Sequence, residues 1–210
     1  MSALDRLASS LNRRDEVPNQ ELARDLAARK DKAGIKEIAA GLHHAKADVQ
    51  ADCIKVLYEI GALEPKLIAP YADEFVGLLR SKNNRLVWGG MTALAAIAET
   101  QAPALFKHLD AIKAATDNGS VITIDQGVRT LARLAAGDPA RRRAIFPYLL
   151  QRLASARPKD VPQHSEQSLP AVDTANRAAF IKTLQKRMED LSPAQAARVK
   201  KVIKQAEALT

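Results

Sequence analysis

The chain has little of the material from which cross-linked, membrane-spanning or metal-dependent proteins are made. Among 210 residues there is one cysteine, Cys53, so neither an intrachain disulfide framework nor a cysteine-based metal cluster can form, since both need several thiols at set spacing. Aromatic residues make up 4%, and the β-branched and aromatic runs that strands favour are largely missing. No stretch approaches the ~20 consecutive apolar residues of a membrane span. The N-terminal MSALDRLASSLNRR, charged at Asp5 and Arg6, lacks the uninterrupted apolar core of a secretory leader. These absences predict an all-α, cytoplasmic protein that does not enter a membrane.

Catalytic motifs are missing as well. No glycine-rich phosphate loop follows a strand, and no Gly-x-Ser-x-Gly elbow occurs. His43 and His44 are neighbours, so on a helix they point about 100° apart and cannot share one ion; they read as helix C-terminal residues favoured by the dipole. His108 and His164 have no cysteine or acidic partner at ligand spacing. No metal, cofactor or small-molecule substrate is expected.

What the sequence does have is a repeat of 37 residues. Leu57, Leu94 and Leu131 are spaced by it, and their neighbours move in step: Ile54, Met91, Val128; Ile60, Ile97, Leu134; and the small residues Cys53, Gly90, Gly127. Within each copy these positions form one stripe of a 3.6-residue helix, which places B helices near 48–61, 85–99 and 122–136. A second set, Ile38, Phe75, Ile112 and Leu149, places A helices near 34–45, 67–80, 104–116 and 143–155. Pro65, Pro70, Pro103, Pro139 and Pro147 fall at or just inside A-helix starts, where a missing N–H costs least. Turns are expected at 81–84 and 117–121, where Asn, Asp, Gly and Ser cluster.

Two stripes per unit cannot be buried by one helix pair alone, so stacked neighbours must complete the core. The B-helix segments Asp48-Val49 followed by Val56-Leu57-Tyr58-Glu59-Ile60-Gly61, and Leu86 followed by Ala93-Leu94-Ala95-Ala96-Ile97-Ala98, resemble HEAT repeats. The resemblance covers about residues 31–158 and implies a right-handed α-α superhelix without a sheet. The two stripes and two turns of each unit extrapolate to about 11 helices in a single solenoid domain over 1–210. Residues 1–30 read as N-terminal capping helices over 2–12 and 19–30, with Leu4, Leu7 and Leu11 facing inward in the first. Residues 156–172, carrying Pro158, Pro162 and Pro170, read as a proline-rich loop. Residues 173–210 read as C-terminal capping helices, the last opened by the capping box Ser192-Pro193-Ala194-Gln195.

HEAT proteins mostly bind other proteins; a minority bind nucleic acid and a few are DNA glycosylases or lyases. Trp88 and Asp125 are too sparse a match to the glycosylase pattern to carry that activity. The expectation is therefore a non-catalytic scaffold. In the fourth unit Phe180, Ile181, Leu184 and Met188 reproduce the spacing of Gly127, Val128, Leu131 and Ala135 after an offset of 53, so 16 extra residues precede its B helix; opposite the buried stripe, one B-helix column then reads Lys55, Thr92, Arg129, Lys182 and the next reads Glu59, Ala96, Arg133, Lys186. The basic members gather late in the chain: residues 1–84 hold 13 basic and 13 acidic side chains, residues 85–210 hold 19 and 11. An acidic protein or peptide is the expected partner, gripped by Lys55, Arg129, Arg133, Lys182 and Lys186. Nucleic acid is the alternative, weakened by the shortage of aromatic stacking platforms. Trp88 stands beside the core stripe, where it either anchors a partner or packs between repeats. Gly89, on the outer side of the same helix, is a candidate for clearing ligand space. The last helix adds Arg198, Lys200, Lys201 and Lys204 as a basic outer surface.

Overall fold

The computed structural model describes residues 2–209, which fold into helices and turns with no strand among them. The chain divides into two compact units, Met1–Gly127 and Val128–Thr210, with the boundary inside one helix. The α-helices of the first are α1 (Val17–Arg29), α2 (Lys32–Ala40), α3 (Ala47–Leu63), α4 (Pro65–Ile68), α5 (Ala72–Leu78), α6 (Asn84–Ile97), α7 (Ala102–Phe106) and α8 (Leu109–Asn118). Helix α9 (Val121–Ala135) carries the boundary; α10 (Pro139–Ser155), α11 (Val161–Ser168), α12 (Arg177–Arg187) and α13 (Pro193–Glu207) follow.

In the N-terminal unit α1 lies against α3 and α3 against α6, while α2 and α4 pack on α3, and α4 and α5 on α6. The stripe predicted for the B helices is the core: Cys53, Ile54, Leu57 and Ile60 on α3 and Met91, Leu94 and Ile97 on α6 are all fully buried. Side chains cap the helices where the sequence punctuates them. Asp31 accepts from the Gly34 N–H at 2.9 Å, and Asn83 accepts from the Arg85 N–H at 2.9 Å, each satisfying a donor that the first turn leaves open. Pro65 and Pro103 stand in the first turns of α4 and α7.

The expected first capping helix over 2–12 does not form. Only a 3-10 turn, Leu4–Arg6, is present, because backbone donors there are taken by side chains from elsewhere. The Ala3 N–H donates to Glu37 at 3.0 Å, the Ala8 N–H to Asn19 at 3.0 Å and the Ser9 N–H to Asp52 at 2.8 Å. Leu7 is buried as expected, but Leu11 is 50% exposed. The A positions are also more broken than the period implied, with α4 and α5 separated by a 3-10 turn at Ala69–Tyr71 that contains Pro70. Such breaks raise the number of α-helices to thirteen among the described residues.

In the C-terminal unit α10 packs on α11 and α12, and α13 on α11 and α12. Residues 156–172, expected as a loop, contain α11 and a 3-10 turn at Leu169–Ala171, with Val161, Ala171 and Val172 buried. Pro162 and Pro170 occupy first-turn positions of these two elements, where proline starts a helix rather than breaking one. Pro147, by contrast, lies inside α10, which already begins at Pro139. Both Pro147 and Arg143, whose carbonyl loses its helical donor, are exposed, so water can take that acceptor.

Arg187, on the last turn of α12, is buried and donates to Leu153 O at 2.7 Å, Ala154 O at 3.2 Å and Ala156 O at 2.8 Å, and to Asp190 at 2.9 Å. Its guanidinium thereby satisfies carbonyls at the C-terminal end of α10 that no intrahelical N–H reaches. The capping box that opens α13 is complete, with Ser192 accepting from Gln195 N and Gln195 accepting from Ser192 N.

Candidate partner-binding surfaces

The six sequence-predicted site residues separate into two settings. Lys55 and Trp88 belong to the N-terminal unit, and there the exposed basic column begins with a correction: Lys55 is 7% exposed. Its ammonium lies 2.8 Å from Glu16 and 2.6 Å from Glu59, one turn further along α3, and 5.0 Å from the centre of the Tyr58 ring. Burial works against the charged form, but the bonds to Glu16 and Glu59 outweigh it and raise the ammonium's pKa. Lys55 therefore carries no free charge that a partner could use. Glu16 reaches a second cation, Arg85 on α6, at 3.0 Å, and its hydrogen bond from Lys55 holds its carboxyl below the ordinary range. A single carboxylate at the start of α1 thus ties α1, α3 and α6 together.

Trp88 is half-buried and meets Tyr58 of α3 with ring centroids 5.6 Å apart and planes inclined by 50°. The tilted geometry is one that aromatic pairs favour. The ring thus packs between α3 and α6 while keeping part of its surface accessible. Gly89 is buried rather than outward: a Cβ there would lie 2.7 Å from Ile54 Cγ1, so the missing side chain lets α6 approach α3. A cleft of about 600 Å³ opens nearby, lined by Ser9, Asn12, Arg13, Asp15, Asp48 and Arg85 among others. Its charges are largely mutual, with Arg13 bonded to Asp15 at 2.8 and 2.9 Å and Arg85 to Glu16.

The C-terminal unit is electrostatically different. Residues 128–210 hold 16 basic and 7 acidic side chains, a net of +9, against 16 and 17 in residues 1–127, a net of −1. Arg129 is exposed and Arg133 half-buried, one turn apart on α9; Lys182 and Lys186 are exposed, one turn apart on α12. Several arginines of this unit are engaged in holding it together. Arg142 meets Asp173 at 2.6 Å, Arg157 meets Asp160 at 2.6 Å, and Arg198 meets Glu166 at 2.7 Å. Lys159, Lys182, Lys186, Lys200, Lys201 and Lys204 are exposed, as Arg157 and Arg198 are, but differ in holding no ion pair among the described residues. The signal was present in the sequence as a basic final helix, but nothing in composition separated arginines used in folding from lysines left over.

No helix among the described residues is long and apolar enough to cross a membrane. No family model matches the chain, and no curated protein matches its sequence. Solved structures do. One is an engineered protein, 19% identical with a TM-score of 0.69, the match covering 99% of this chain and 98% of that one. Another is a designed armadillo repeat protein in complex with the peptide (KR)4, 16% identical with a TM-score of 0.66, covering 96% and 100%. A third is a computationally designed armadillo repeat protein for modular peptide recognition, 15% identical with a TM-score of 0.68, covering 97% and 98%. The fold is therefore that of an armadillo- or HEAT-like helical-repeat solenoid.

Proposed function

We propose that the protein is a non-catalytic binding scaffold that grips an acidic protein or peptide segment through the basic B-helix positions of its C-terminal unit. The observation that carries this reading is the pair Lys182 and Lys186, exposed one turn apart on α12 in a unit of net charge +9. Two like charges at that spacing disfavour the helix by a few tenths of a kcal/mol, a small cost that a complementary anionic partner would reverse. Arg129, exposed, and Arg133, half-buried, have the same one-turn spacing on α9. Designed proteins of the same fold support the general role, one being for peptide recognition and another in complex with a basic peptide; the net charge here calls for a ligand of the opposite sign. A cytoplasmic setting is part of the reading, in keeping with the one buried thiol.

The test is fluorescence anisotropy with a labelled Glu/Asp-rich peptide, at low and at physiological salt. Replacing Lys182 and Lys186 by Glu should remove most of the binding and its salt dependence while leaving the helical signal intact, because exposed charges contribute little to folding; adding Arg129→Glu and Arg133→Glu should abolish the remainder, with the helical signal followed in parallel because Arg133 is half-buried. Replacing Arg14, Lys32, Lys36 and Lys82, four exposed cations of the N-terminal unit, should leave most of the binding. Equal loss from both sets would show dependence on total charge alone, and tighter binding of a thymidine oligonucleotide would favour nucleic acid.

A further inference from the structure

We infer that the acidic segment is extended rather than helical, and that its path continues from α12 onto α13, where Lys200, Lys201 and Lys204 receive it. The inference rests on the reading above and adds to it a second contact surface and the conformation of the partner.

Three observations converge. Helices α12 and α13 pack against each other, and all five lysines they carry are exposed with no ion pair or hydrogen bond among the described residues. Axes of packed helices lie about 8–10 Å apart, a step that an extended chain covers in about three residues. The second observation is an absence of apolar purchase. Among the described residues the large exposed hydrophobic side chains are Leu11, Val17, Leu63, Val121 and Ile122, all in the N-terminal unit. A helical ligand docks by apolar anchors at i, i+3, i+4 and i+7 in a groove, and among its described residues the C-terminal unit exposes no apolar side chain of that size to receive them.

Third is the kind of cation. An arginine fork selects a planar anion in a fixed orientation, whereas a lysine is a point charge on a flexible stem. A run of carboxylates on an unstructured chain, whose anions arrive at variable angle and spacing, can be met by the second kind without a fixed geometry. Nor does this unit present an exposed aromatic ring for bases: Phe146 and Phe180 are buried and Tyr148 is half-buried, which disfavours a single-stranded nucleic acid.

The experiment uses the full chain and three fluorescein-labelled probes of matched charge: oligoglutamate, which is extended at neutral pH; a hydrocarbon-stapled acidic helix; and oligothymidylate. Two variants accompany the parent, Lys182→Gln with Lys186→Gln, and Lys200→Gln with Lys201→Gln and Lys204→Gln. Oligoglutamate should bind best, and the α13 triple change should weaken it about tenfold at low salt, the sum of three exposed pairs, with a shallower salt slope. If the α12 change weakens binding and the α13 change leaves it untouched, the continuation onto α13 is overturned while the scaffold reading stands. Tighter binding of the stapled helix overturns the extended conformation. Indifference to both variants, or preference for oligothymidylate, overturns the inference and the reading together.

Discussion

Replacing Lys55 by methionine tests whether the buried ammonium stabilises the N-terminal unit. Methionine keeps most of the apolar stem, so the change isolates the charge and its bonds. Two charge-assisted hydrogen bonds are lost, each worth about 1.5–3 kcal/mol when both partners stay dry. Here the Glu16 and Glu59 side chains retain 42% and 31% exposure, so they rehydrate in the variant, and Glu16 keeps Arg85 at 3.0 Å. The net cost is therefore below the sum of the two bonds, about 2 kcal/mol in all. For a chain of this size that corresponds to a fall in Tm of about 4–8 °C. Trp88, the one tryptophan, stands against Tyr58 beside the lysine, so its fluorescence during heating follows this unit directly. Adding Glu59→Gln to the Lys55→Met background should cost much less than Glu59→Gln alone. A Tm within a degree of the parent, or above it, would refute the reasoning: the bonds would then merely offset the desolvation of the charges that make them.

The Glu16 carboxyl is held below its ordinary pKa, so its contribution is fully present above the unfolded-state value of about 4.3 and is lost as pH falls through the folded value. Urea midpoints read from Trp88 fluorescence should drop below that pH, and drop less in Glu16→Gln. A Cβ at Gly127 would overlap the Thr116 side chain, which is buried and donates to Ile112 O at 2.7 Å. Gly127→Ala should therefore cost about 1–3 kcal/mol by overpacking, whereas Gly77→Ala, with open space around it on α5, should gain about 0.5–1 kcal/mol in thermal melts. Arg187→Ala should destabilise by about 3 kcal/mol in urea unfolding followed by circular dichroism. Arg187→Lys should recover little, because one ammonium cannot serve the three carbonyls and Asp190 together.

The repeat was legible because burial imposes periodicity. Leu57, Leu94 and Leu131 all face the core, and the small column Cys53, Gly90, Gly127 marks close approaches that only small residues permit. Lys55 was misplaced for a related reason. A helical angle says which way a side chain points but not what covers it, and the cover comes from Glu16, in a segment outside the repeat. Residues 2–12 lost their helix to the carboxylates of Glu37 and Asp52, partners 34 and 43 residues away along the chain. A cluster such as Pro158, Pro162 and Pro170 breaks a helix interior but starts a helix when the prolines fall in first turns, as Pro162 and Pro170 do, and composition alone does not distinguish the two. Of the basic columns, Lys182 and Lys186 were placed on an exposed helix face from spacing alone. Which cations are engaged in folding depends on acids distant in sequence, such as Asp173 for Arg142, and no local pattern announces those.

Cys53 gives the chain a clock. Its thiol is fully buried on α3, and burial, with lesser contributions from Asp52 and Glu37, pushes its pKa up to about 12. In the folded protein it is both inaccessible and protonated, and the thiolate is the form that reacts. Each alkylation event therefore records an opening of the helix stack at its centre, followed by the reactivity of an ordinary solvated thiol. Because no second cysteine competes, the labelling rate of the unmodified protein under native conditions measures how often that opening occurs, and changes in it on adding an acidic ligand would report whether the partner tightens or loosens the N-terminal unit.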